Sequence, residues 1–148
     1  MSIAQTTALP LSTLPASTGK PLRIALWVAQ GLVAAMFVMA GFMKLTTPIT
    51  ELAAMMPWAG QVSPAFVRFI GLVDLAGGIG ILLPALTRIQ PRLTVLAALG
   101  CAVLQVLAFA FHAYRGEFGV LPVNVVLLAL SVFVFWGRSQ KAPILPSA

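Results

Sequence analysis

The chain has 148 residues, of which 60% are hydrophobic and 8% charged, and its formal net charge is +6. Soluble domains carry about 25% charged residues, so this composition excludes a water-soluble globule and makes the lipid bilayer the chain's solvent and first partner. Nucleic acid is excluded as a partner: the nine Lys and Arg sit at the ends of apolar runs and form no basic stripe with interleaved aromatics.

Residues 1–19 are uncharged and rich in Ser, Thr and Pro, the composition of a disordered tail. A spanning helix needs about 20 mostly apolar residues, and four runs meet that length. They are Ile24–Met43, Phe66–Leu86, Leu93–Tyr114 and Val120–Trp136. None shows the alternation of a barrel strand, and within lipid each helix satisfies its own backbone. Val38-Met39-Ala40 loosely resembles a signal cleavage site, but the preceding segment is too long for one, so the first run is read as a retained helix. The longest connection, Thr46–Ala65, contains Pro48, Pro57, Trp58 and Pro64 and suits an interfacial or re-entrant cap. Trp27, Trp58 and Trp136 are expected as interfacial anchors. The fold expected is an all-α, four-helix transmembrane bundle over residues 20–138, followed by a short tail, 139–148.

Lys20, Arg23, Arg88, Arg92, Arg138 and Lys141 fall on one side of this topology, and Lys44, Arg68 and Arg115 on the other. That six-to-three bias places both termini in the cytoplasm. Cys101 is the only cysteine, which excludes an internal disulfide and dithiol exchange. His112 is the only histidine, which excludes a bis-histidine haem or a multi-histidine metal site within one chain, so no metal site is expected. Neither a phosphate-cradling glycine loop nor a nucleophile elbow is present.

Against this background, polar residues at membrane depth stand out. Asp74 sits about eight residues into the second span, roughly 12 Å from its outer end. An isolated carboxylate there is costly, so it must face the bundle interior, protonated or beside a base. Lys44 has the flexible stem to reach it, whereas Arg68 points to a different face of the same helix. Gln105 and His112 share one face of the third span, and Asn124 follows the outer end of the fourth. Together with Glu117 these residues mark a candidate polar pocket in the outer half. Gly71, Gly77 and Gly78 would let another helix or a flat ligand come close, and they make self-association plausible. The plainer readings are a buried pair at Asp74 that only fixes helix register, and Arg68, Arg115 and Glu117 as membrane-boundary residues.

The runs Gly41-Phe42-Met43-Lys44-Leu45, Arg68 through Pro84, His112-Ala113-Tyr114-Arg115-Gly116-Glu117 and Gly137-Arg138 resemble, in order, the DoxX-like family of small bacterial four-helix membrane proteins. In that family the second span carries a glutamate where this chain has Asp74, and Lys44, His112 and Glu117 match recurrent polar positions. The resemblance implies a multi-pass protein of the inner (cytoplasmic) membrane. It also implies a link to membrane redox systems, since the family's namesake resembles a subunit of a thiosulfate:quinone oxidoreductase. Two functional readings follow. One is a redox-associated subunit that handles a quinone head group and its protons while a partner protein supplies electrons; no cofactor is intrinsic to the chain. The other is a non-catalytic scaffold or small transporter-like bundle, a homo-oligomer among its forms. The lack of an intrinsic electron carrier favours a non-catalytic role for the isolated chain.

Overall fold

A computed structural model describes residues 19–147. It contains five α-helices and, among the described residues, no strand: α1 (Lys20–Thr46), α2 (Ile49–Met55), α3 (Pro64–Thr87), α4 (Arg92–Tyr114) and α5 (Leu121–Trp136). All but the short α2 belong to segments long and apolar enough to cross a membrane. The expected four-span bundle is therefore present, while residues 1–18 of the tail expected over residues 1–19 lie outside the described residues.

The helix boundaries follow local chemistry. Pro21 near the start of α1 and Pro64 at the start of α3 occupy positions where a missing N–H costs nothing. Ser63 caps α3, its hydroxyl accepting from the Phe66 amide at 3.3 Å. α1 is longer at both ends than the apolar run alone, since Lys20 and Arg23 can lift their charges out of the hydrocarbon along flexible stems. The fourth span is composite: a 3-10 turn (Phe118–Val120) leads into α5, and a π turn (Gly137–Lys141) extends it.

The four long helices pack as a ring. α1 meets α3 most extensively, α3 meets α4, α4 meets α5, and a lighter α5–α1 contact closes the circle. Leu26 packs on Gly137, so a side chain at position 137 would collide with it. The interior between the ends is a small-residue apolar core that includes Ala29, Val33, Ala34, Phe37, Ile81, Ala98, Cys101 and Leu127. Outward faces carry exposed Leu32, Leu72, Leu96 and Val126, the side chains lipid would solvate.

The long connection is a folded cap. α2 and a 3-10 turn (Pro57–Gly60) enclose a second apolar cluster of Leu52, Trp58, Ala59 and Val67. This corrects the interfacial-anchor reading of Trp58, which is buried, its ring meeting Phe111 of α4 edge-on at 5.9 Å. The indole pins the cap to the bundle because Leu52, Val67 and Phe111 offer it apolar surface that an interface would not.

The α1–α3 seam depends on missing side chains. A methyl on Gly41 would lie 2.7 Å from the Gly71 carbonyl oxygen and 2.8 Å from the Leu75 nitrogen, and one on Gly78 would sit 3.0 Å from the Ala34 oxygen. Such backbone proximity is how helices associate where lipid supplies no hydrophobic drive. Gly41→Ala is expected to separate the helices at a cost of roughly 1–3 kcal/mol. Gly100→Ala, which adds a methyl in open space, should be neutral or stabilising by up to about 1 kcal/mol. Thermal midpoints of both variants in detergent test this contrast; an unperturbed Gly41→Ala would refute the seam.

Candidate functional site

The close seam brings Lys44, in the last turn of α1, against α3. A methyl on Gly71 would lie 2.9 Å from the Lys44 Cβ, so the lysine stem runs along the glycine's bare backbone. From there Nζ donates to Asp74 Oδ2 at 2.8 Å, both side chains about nine-tenths buried. Arg68 adds a tie that is not evident in the sequence: one of its terminal nitrogens donates to the Lys44 backbone carbonyl. It thus holds the C-terminal turn of α1, where carbonyls lack intrahelical donors, although its own face differs from that of Asp74.

Gln105 and Asn124 complete a layer. A methyl on Gly77 would lie 2.8 Å from Cys101 Sγ, and one on Gly80 would lie 3.0 Å from the Ala97 Cβ, which sets the antiparallel register of α3 on α4. One turn outward from that contact, Asp74 and Gln105 stand at the same level. The Leu26–Gly137 contact likewise sets α5 against α1, placing Asn124 at the level of Met39, about a turn and a half inward of Lys44. Gln105 is 7% and Asn124 9% exposed, and Gln105 Oε1 and Asn124 Nδ2 lack hydrogen-bond partners. An amide keeps a donor end and an acceptor end whichever way it is turned, so the layer retains unused polar capacity.

His112 and Glu117 belong to a separate group nearer the surface. His112 Nδ1 and Glu117 Oε2 are 2.5 Å apart. A carboxylate only accepts, so Nδ1 carries the proton. Arg115 Nε donates to Glu117 Oε1 at 2.8 Å, and its terminal nitrogen donates to Gln61 Oε1, also at 2.8 Å. Arg115 also lies over the Phe111 ring, 5.3 Å from its centre. The group fastens the α4–α5 turn to the cap; Gln61 is its unforeseen member. No hydrogen bond or ion pair joins it to Lys44 or Asp74 among the described residues.

Two grooves mark the surface, one of about 380 Å³ between α1 and α3 and one of about 510 Å³ along α5. Both are apolar, and none of the six candidate polar residues lines them. Among the described residues no cluster of three or more His, Cys, Asp or Glu could hold a metal ion.

Sequence reasoning overlooked a polar group at the opposite end. Gln30 of α1 is fully buried, donating from Nε2 to the Ile81 carbonyl at 2.9 Å and accepting from Arg138 Nε at 2.6 Å. Pro84 lies within α3 and provides no N–H for the Gly80 carbonyl, and the loosened turn lets the next carbonyl take a second donor. Thr94 and Ser131 are buried with unpartnered hydroxyls. The available signal was the one that picked out Asp74: Gln30 and Ser131 are polar residues inside apolar runs.

The chain matches one family model, described as the DoxX-like family, over residues 28–134. No curated protein and no solved structure matches it.

The surface group has a defined pH response. Hydrogen bonds to Glu117, first from His112 and then from Arg115, hold its carboxyl below the ordinary carboxylate range. A carboxyl depressed on folding stabilises the folded state fully above its unfolded value of about 4.3, and that stabilisation fades as pH falls through the folded value. The difference in thermal midpoint between wild type and Glu117→Gln should therefore be full at neutral pH and shrink in acid. A difference independent of pH would show that the carboxylate's charge does not fasten the turn.

Proposed function

Because the chain belongs to the DoxX-like family, whose model covers the bundle from residue 28 to residue 134, we propose that it is a membrane-embedded accessory subunit of a quinone-linked redox system. In this reading it resides in the cytoplasmic membrane, and the outer polar layer receives the quinone head group. The supporting observation is the pairing of unused capacity with charge: two buried amides have unpartnered atoms and fall, by helix register, near the level of a buried ion pair. Buried polar atoms are ordinarily satisfied, so a layer that leaves two unsatisfied suits a small polar guest.

The residues fit such a guest. Asn124 Nδ2 would donate to a ring carbonyl, and Gln105 Oε1 would accept from a ring hydroxyl. A bound quinone supplies two-electron, two-proton chemistry, and a partner protein supplies the electrons. Lys44 and Asp74 hold a proton between Nζ and Oδ2 and can exchange it with the head group, while the apolar core below the layer limits its passage further inward.

A second reading, the scaffold, is favoured by the Gly41–Gly71 seam, whose tightness around Lys44 suits a pair that serves only to fix register. Removing either charge alone leaves its partner uncompensated, so Lys44→Met and Asp74→Leu should each cost about 3–5 kcal/mol, whereas the double variant should recover folded protein. Mass spectrometry of extracts from gently purified protein separates the readings. A quinone retained by wild type and lost from the folded double variant supports the redox subunit. No quinone in either, or equal retention by both, overturns it and leaves the scaffold.

A further inference from the structure

Arg138 follows α5 in the π turn and is 4% exposed, among the most buried cations of the chain. Its Nε donates to Gln30, one terminal nitrogen donates to the Ala142 carbonyl at 3.3 Å, and its Cζ lies over the Trp27 ring, 4.9 Å from the centroid. The other terminal nitrogen, Nη2, is buried without any partner. A guanidinium removed from water needs a counter-charge, and no acidic side chain among the described residues pairs with it. The chain has three side-chain carboxylates. Asp74 is engaged with Lys44, Glu117 with His112 and Arg115, and Glu51 is exposed on the cap, so all three belong to the opposite half of the bundle.

The surroundings of Arg138 add positive charge. Arg23 of α1 is close enough to repel it electrostatically. Arg88, directly after α3, lies at this end too, and its carbonyl accepts from the Ser147 amide at 3.3 Å. Gln30 and Trp27 fix the guanidinium plane from two directions, leaving one edge with an unused N–H group. That edge matches an oxygen anion, since a fixed guanidinium fork is complementary to phosphate. Trp27 and Trp136 at this end suit headgroup depth, and the Lys and Arg bias favours the cytoplasmic leaflet, where anionic lipids collect.

We infer that Arg138, oriented by Gln30 and Trp27, is the core of a binding site for a phosphate-class oxyanion at the basic end of the bundle. The site is distinct from the outer polar layer and stands whether or not that layer binds a quinone.

The test titrates the detergent-purified full chain with phosphatidylglycerol, diacylglycerol and inorganic phosphate, following adducts by native mass spectrometry and midpoints by thermal shift. Phosphatidylglycerol should bind wild type about ten-fold more tightly than diacylglycerol, which has the same acyl chains and no phosphate, as expected for a hydrogen bond to a charged group. Arg138→Gln should abolish that preference, and Arg138→Lys, which keeps the charge without the fork, should restore only part of it. Arg23→Gln alters an exposed residue, and should fold while weakening the preference about two-fold through loss of its field, which keeps the test decisive if Arg138→Gln does not fold. Protection by inorganic phosphate alone would support the site and identify a soluble anion as its occupant. Equal binding of both lipids with no phosphate effect, or an undiminished preference in the folded Arg138 variants, would overturn it.

Discussion

The approach of α1 to α3 across bare glycine backbone is the constraint on which the remaining architecture depends. Lipid offers helices no hydrophobic reason to associate, so contact has to come from close packing and from polar groups that find each other in a medium without water. Gly41, Gly71 and Gly78 remove the side chains that would hold the helices apart, and that proximity lets the Lys44 stem lie along Gly71 and reach Asp74. The steric and electrostatic parts reinforce one another. The glycines set the distance between the helices, and the ion pair sets their register, because sliding by a turn would strand a charge in hydrocarbon.

The architecture was legible in the sequence to the extent that bilayer physics alone writes it there. Four apolar runs of spanning length give four spans. Lys44 and Asp74 stood out because any charge at that depth needs a partner, and a lysine stem is long enough to cross a glycine contact. The folding of residues 46–65 was less legible. Pro48, Pro57 and Pro64 read as breaks, yet each starts or precedes a helical turn, and the fate of Trp58 depended on Phe111, a residue distant in the chain. Gln30 was missed because one amide in a long apolar run has no local signature of its role; its partners are a carbonyl beside Pro84 and a guanidinium at the far end of the chain. His112 and Glu117 share the same outer half as Lys44 and Asp74, but residence in one half does not imply contact, and the structure holds them in a separate surface group.

The buried polar residues fall into two layers of unlike character. The outer layer, with Lys44, Asp74, Gln105 and Asn124, contains a cation and an anion already joined, so its electrostatics close internally. The inner group, with Gln30 and Arg138, contains a cation and no anion. Between them lie Val33, Ala34, Phe37, Ala98, Cys101 and Leu127, an apolar band that keeps the two from exchanging charge through the bundle.

That separation follows from where the chain puts its few acids. Only three residues bear side-chain carboxylates, all in one half, so the basic half has no acidic side chain of its own. For cations at the helix ends this costs little, because water and lipid headgroups solvate them. Arg138 differs because Gln30, Trp27 and Ala142 enclose it. The same scarcity of charge that makes the chain a membrane protein thus makes its two ends chemically unequal: one carries an internal ion pair, and the other buries a cation that has no acidic side chain paired with it among the described residues.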